Sequence, residues 1–204
     1  MMIKENYEKI LSKIKESCQR SQRSVDDVFL LAVSKTHSAD LINECLSVGV
    51  QAYGENKIQE AEQKNPLIHR DGKQFHFIGH LQSNKINKLL ALSPDLIHSI
   101  DSLSTAEKLN QALIRLDRVQ DILIEVNTSG EVSKNGIDPV ALDNFVIALS
   151  ALSHIRIKGL MTIGTLTEDR VEIRRCFRQL RDLFEGIKAK QINHCEMKYL
   201  SMGM

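Results

Sequence analysis

Two apolar patterns alternate along the chain. Over 4–17, Tyr7, Ile10, Leu11 and Ile14 recur at helical spacing among lysines and glutamates, which predicts a leading amphipathic helix. Short apolar runs then occur at 28–35, 50–53, 74–79, 95–100, 121–127, 155–163 and 197–202. Each is short for a helix and too evenly apolar for a strand with one wet face, so each predicts a strand covered on both faces. Between the runs the period lengthens. Ser38 or Asp40 caps a helix whose buried stripe is Leu41, Ile42, Cys45 and Leu46, closed by Gly49. A helix from about Lys57 stops before Pro66, because the residue preceding a proline is pushed out of the α region. Ser83 or Asn84 starts a helix carrying Ile86, Leu89 and Leu90. The capping box at 104–107 opens a helix with Leu109, Ala112, Leu113 and Leu116 on its buried side. Asp138 followed by Pro139 opens another over Leu142, Phe145, Val146 and Leu149. Thr167, with Glu168 and Asp169, opens a long helix burying Ile173, Phe177, Leu180, Phe184 and Ile187.

Seven strands alternating with six helices after a leading helix are the pattern of a parallel sheet with helices outside it. An open doubly wound sheet and a (β/α)8 TIM-type barrel both fit. No GxGxxG follows any strand, and polar residues sit after nearly every one, as a ring of loops at a barrel mouth requires; both facts favour the barrel. The count is one strand short of closure, so an incomplete barrel is expected. No stretch rich in proline, glycine or serine marks a boundary, and 1–204 is expected to be a single domain.

Composition narrows the function classes. A 42% hydrophobic and 26% charged chain with a formal net charge of +1 and no run of like charge gives no reason to expect nucleic acid or an anionic membrane as partner. No apolar stretch approaches the ~18 residues of a membrane span, and the N-terminus lacks a signal-peptide core, so a cytoplasmic protein is expected. Cys18, Cys45, Cys176 and Cys195 are far apart without metal spacing, which suits reduced thiols.

The candidate chemistry lies at strand ends: Lys35, Asn56, His80, Asp101, Asn127 with Lys134, Thr162 with Thr165, and Ser201-Met202-Gly203. An amine at the carboxyl end of a buried strand is costly to keep charged, and desolvation lowers its pKa toward nucleophilic use, which makes Lys35 a candidate Schiff-base former. The same eight residues, VFLLAVSK, also read as a strand whose first solvated residue is a lysine. Asn56 and Ser201 stand near glycines, where backbone can approach a phosphate or ring closely. His76 and His80 share a face without a third ligand nearby, and no metal is expected. No GxSxG elbow or outstanding carboxylate pair appears.

In order and spacing, LLAVSKTHS, AYGENKIQEA, FHFIGHLQSNK, IHSIDS, EVNTSGEVSKNGI, IKGLMTIG and YLSMGM resemble the pyridoxal phosphate homeostasis protein family, which is similar to the barrel domain of alanine racemase. The resemblance implies a fold-type III barrel that binds pyridoxal 5′-phosphate as an aldimine on Lys35. It also implies that Asn56 lines the cofactor pocket, that His80 with Ser83 and Asn84 belongs to the third βα loop, and that Ser201, Met202 and Gly203 contact the phosphate. The family lacks the second domain that gives alanine racemase its opposing base. The implied role is therefore a non-catalytic or weakly catalytic carrier in cofactor homeostasis, with no catalytic residues assigned. Its partners would be the cofactor, and by extension apoenzymes or small amino acids, and it is expected to be a monomer. The alternatives are an amino-acid racemase or lyase, and a shortened barrel with impaired cofactor binding. Family members continue past SMGM with a helix and an eighth strand carrying R-I-G. An end at Met204 implies either a truncated relative with half a phosphate cup or a fragment of a longer chain.

Overall fold

The computed structural model describes residues 2–131 and 134–203. Val132 and Ser133, in the segment EVNTSGEVSKNGI, and Met204, at the end of YLSMGM, lie outside the described residues. Seven parallel strands follow one another in chain order, and the chain divides into two compact units, 1–76 and 77–204.

The first unit contains α1 (Met2–Arg20), β1 (Ala32–Val33), α2 (Ala39–Ser47), β2 (Ala52–Glu55), α3 (Ile58–Lys64) and all but the last residue of β3 (Gln74–Phe77). Tyr53 and Phe75, both essentially buried, stack at 5.3 Å, and the Arg70 guanidinium covers the Phe75 ring at 5.1 Å. Ile42, Leu46, Ile58 and Ala61 bring α2 and α3 into the core. Two expectations change here. On α1 the buried residue is Cys18, while Ile10 and Leu11 are exposed, and Tyr7 ties the helix down by donating to Gly49 O at 3.1 Å. The strand expected over 28–35 pairs only through Ala32 and Val33. β1 stands at the end of the strand order and is not sandwiched between neighbours; Phe29 and Val33 are each 47% exposed.

In the second unit, α4 (Ile86–Ala91), β4 (Leu96–Ile100), α5 (Leu103–Arg115), β5 (Gln120–Glu125), α6 (Leu142–Ser150), β6 (Ile155–Ile163), α7 (Arg170–Ala189) and β7 (Cys195–Gly203) alternate regularly. β4 is buried along its whole length and β5 nearly so, as expected of strands with helices outside them. Ala106, Leu109, Ala112 and Leu113 form the buried face of α5; removing a leucine of this kind from water is worth about 1.5–3 kcal/mol. That helix starts at Ser102 rather than at the capping box, and Leu116, past its last turn, is 51% exposed and not part of the stripe. Asp138 caps the turn before α6 by accepting from Val140 N, as anticipated, whereas α7 is capped by Asp169 rather than Thr167.

The sheet of this unit is curled. β4 and β7 are separated by β5 and β6 in strand order, yet His98 Nδ1 and Ser201 Oγ are hydrogen-bonded at 2.9 Å. On the same unit's strands Leu96, Leu123 and Met161 cluster with Tyr199 against them. At Gly159, φ +149, the β6–β7 register shifts and the backbones approach so closely that any Cβ would overlap Tyr199 O. Among the described residues no helix is long and apolar enough to cross a membrane.

Candidate functional site

The first unit's strand ends are organised by charge. The β1–β2 register pairs Val33 with Gly54, and just past it the Ser34 hydroxyl reaches Glu55; Lys35 follows Ser34 and Asn56 follows Glu55. Glu55 is fully buried, and a buried carboxylate must be compensated. Its Oε1 accepts from Ser34 Oγ at 2.6 Å and from Lys64 Nζ at 3.0 Å, while Oε2 is buried with no hydrogen-bond partner. Lys64, reaching over from α3, also donates to Ser34 O at 3.2 Å and to Glu60 Oε2 at 3.2 Å. Glu60 in turn accepts from the Thr36 N–H at 3.0 Å, and this bond, followed by those from Lys64, holds its carboxyl below the usual carboxylate range.

Lys35 stands in the turn between β1 and α2 and is exposed. The burial expected to desolvate its amine is absent, because the strand ends two residues earlier. Its amine is presented on a turn whose flanking atoms are fixed. Just past the end of β2, Asn56 Oδ1 is buried with no partner. A buried acceptor without a donor is the kind of atom a bound polar group satisfies, so Lys35 and Asn56 fit a cofactor that brings an aldehyde for the amine and a donor for the amide.

In the second unit, His80 Nδ1 lies 3.6 Å from Asp101 Oδ2, which also accepts from the Gly136 N–H at 3.3 Å. Gly136 has φ +113, and a Cβ there would strike the Val126–Asn127 backbone, so glycine is what lets this loop close. Glu125, buried at the end of β5, has its carboxyl pushed up to about 7, first by burial and then by the Asp101 charge. Ser201 is half-buried and held by buried His98; Met202 and Gly203 are exposed at the end of β7, and the space around Gly203 is open. Thr162 donates to Val126 O at 2.8 Å and shares a hydrogen bond with Thr128 at 2.9 Å. Lys134 donates to Gly164 O at 2.9 Å and pairs with Glu131 at 3.0 Å.

Of the remaining polar candidates, His76 bonds Gln74 Oε1 at 2.9 Å and stacks on Phe29. The four cysteines are free thiols, and burial raises Cys195 to about 11. An open groove of about 820 Å³ along α7, lined by Arg174, Arg175 and Arg178 among others, contains none of the strand-end residues. Sequence reasoning missed Glu55, Lys64, Glu60, His98 and Glu125. For Glu125 and Glu55 a signal existed: a carboxylate inside an apolar run has to be compensated or protonated.

Comparisons with known proteins agree with this architecture. The family described as alanine racemase, N-terminal domain, matches residues 10–204. The pyridoxal phosphate homeostasis protein of Aquifex aeolicus is 34% identical over 98% of this chain and 86% of its own length. The structure of PipY from Synechococcus elongatus, solved with PLP bound, superposes with a TM-score of 0.79 at 34% identity, covering 95% of this chain and 89% of that one. Alanine racemase from Corynebacterium glutamicum, at 15% identity, shares the fold with a TM-score of 0.64 over 86% of this chain and 48% of its own. The parallel α/β order, one strand short of a (β/α)8 barrel among the described residues, is the fold expected from the strand pattern. With its strand-end lysine, its GEN and SMGM segments and matches spanning nearly its whole length, the chain belongs to the alanine racemase N-terminal domain family and, within it, to the pyridoxal phosphate homeostasis proteins.

Proposed function

We propose that this protein binds pyridoxal 5′-phosphate reversibly, holds it covalently through the Lys35 amine, and buffers it in the cytoplasm as a monomer that hands it to apoenzymes. The observation that carries the reading is that, one residue beyond the hydrogen-bonded Ser34 and Glu55, the chain offers an exposed primary amine on Lys35 and a buried acceptor that has no donor, Asn56 Oδ1. Pyridoxal phosphate supplies an aldehyde that condenses reversibly with a primary amine. Lys35 provides that amine, Asn56 orients a donor beside it, and Ser201, Met202 and Gly203 are assigned to the phosphate by the family resemblance. His98 fixes the Ser201 hydroxyl through its 2.9 Å hydrogen bond. His80, which the resemblance assigns to the third βα loop, is paired with Asp101.

Addition of pyridoxal phosphate to the full chain, followed by borohydride reduction and peptide mass analysis, tests the reading. The expected result is one stable adduct on Lys35, absent in Lys35→Ala and formed with weaker affinity in Ser201→Ala. A wild-type chain that acquires no adduct at Lys35 would overturn it.

One observation favours a second reading, an amino-acid racemase or lyase. Glu125, its carboxyl pushed up to about 7 by burial and the Asp101 charge, is an acid/base-capable group in the matching family fold. Chiral chromatography of proteinogenic amino acids incubated with the loaded protein separates the two readings, since the carrier leaves every one unchanged.

A further inference from the structure

We infer that the Lys64–Glu60 ion pair is a clamp that sets the geometry of Lys35, with both members acting as positioning residues. The inference rests on the reading of Lys35 as the cofactor-holding amine. A lysine is joined to its chain through two peptide groups, and here each is gripped by one member of the same pair. The Ser34 carbonyl, in the peptide group preceding Lys35, accepts from Lys64 Nζ at 3.2 Å. The Thr36 N–H, in the peptide group following it, donates to Glu60 Oε2 at 3.0 Å. Lys64 and Glu60 bond each other at 3.2 Å, one turn apart on α3, so both grips are referred to a single helix.

Two further features separate a clamp from ordinary satisfaction of polar groups. The Ser34 carbonyl already accepts from the His37 N–H at 3.1 Å, so it does not need Lys64 to be satisfied. Thr36 lies in an exposed turn, where water could serve its N–H. The bonds from α3 are therefore redundant as hydrogen bonds but specific as directions. They act on a strained segment: Thr36, a β-branched residue, has φ 68, in the left-handed region it ordinarily avoids. Such a conformation persists only where its surroundings over-determine it, and here they comprise the Glu60 acceptor and the Thr36 Oγ1 bond to Lys35 O at 2.5 Å. Glu55, compensated by Lys64, anchors the assembly to the core.

The test measures how fast pyridoxal phosphate becomes reducible onto Lys35, by timed borohydride quenching and peptide mass analysis of the full chain, with the surface residue Lys4 as internal reference. Hydrogen exchange at Thr36 is followed in parallel. Because loss of Lys64 strands a buried carboxylate, the Glu60 variants carry the experiment. Glu60→Ala is expected to slow labelling of Lys35 about tenfold and speed exchange at Thr36, leaving Lys4 labelling unchanged. Glu60→Asp, which keeps the charge but loses reach, should resemble the alanine variant. Glu60→Gln, which keeps an acceptor of the same length, should recover most of the wild-type rate. A merely structural or electrostatic role predicts a different order, with Asp above Gln. Wild-type labelling rates at Lys35 in both Glu60→Ala and Glu60→Asp would overturn the clamp while leaving the carrier reading intact. No label on Lys35 in the wild-type chain would remove the carrier reading, and the clamp with it.

Discussion

The strand ends of the two units handle buried charge in opposite ways. In the first, Glu55 is fully buried but shares an ammonium, Lys64, with Glu60, and the result is a fixed ion network. In the second, Glu125 is buried with Asp101 nearby, and the groups bonded to Asp101 are a histidine 3.6 Å away and a backbone N–H. Compensation in one place holds geometry; under-compensation in the other holds a proton near neutral pH. Carboxylates that end two different strands, β2 and β5, can thus differ in role because one is met by a lysine from the last turn of the following helix and the other is not.

The largest effect is expected where compensation is removed. Lys64→Met leaves Glu55 buried with Ser34 as its remaining donor, which should cost about 3–5 kcal/mol in urea denaturation. A loss below about 1 kcal/mol would mean that Glu55 does not depend on Lys64 and the contrast drawn above is wrong.

The second effect has a pH signature. Glu125 has its folded pKa raised to about 7 from 4.5, so the folded chain holds a proton that the unfolded chain releases. The stability this adds is complete below about pH 4.5 and is lost as pH rises through about 7, a span worth about 3 kcal/mol. Glu125→Gln should remove that dependence and be the more stable protein at pH 8. Urea midpoints at pH 5 and pH 8 for both proteins check this, and parallel shifts in the two would contradict it.

The smallest effect belongs to the solvated pairs that both units carry. Lys190 and Asp143 lie 2.6 Å apart but are both well exposed, so Lys190→Met should change stability by less than about 0.5 kcal/mol and serve as the reference for the other two.

These contrasts also explain what could be read in advance. Apolar runs located β4, β5 and β6 well because those strands are enclosed, and enclosure is what such a run reports. The same signal overstated β1, where 28–31 is apolar but outside the ladder. Helix starts were legible where one side chain decides them, as at Asp138, and misplaced where two candidates compete, as Ser102 and Ser104 do. Lys35 was visible as a strand-end lysine, but its partners were not. Glu60 and Lys64, four apart on a helix, have the spacing of an ordinary surface pair, and only the fold reveals that a strand-end turn lies against them. His98 was hidden for the complementary reason: its partner Ser201 is 103 residues away, and only the curl of the sheet brings them together.

The close approach of β6 to β7 at Gly159 has its own consequence for how this protein can vary. With backbone oxygen occupying the place of a side chain and φ at +149, no rotamer choice or neighbouring substitution can make room there. In a saturation library spanning β6, position 159 should accept glycine alone, while the exposed Arg156 on the same strand should accept many side chains.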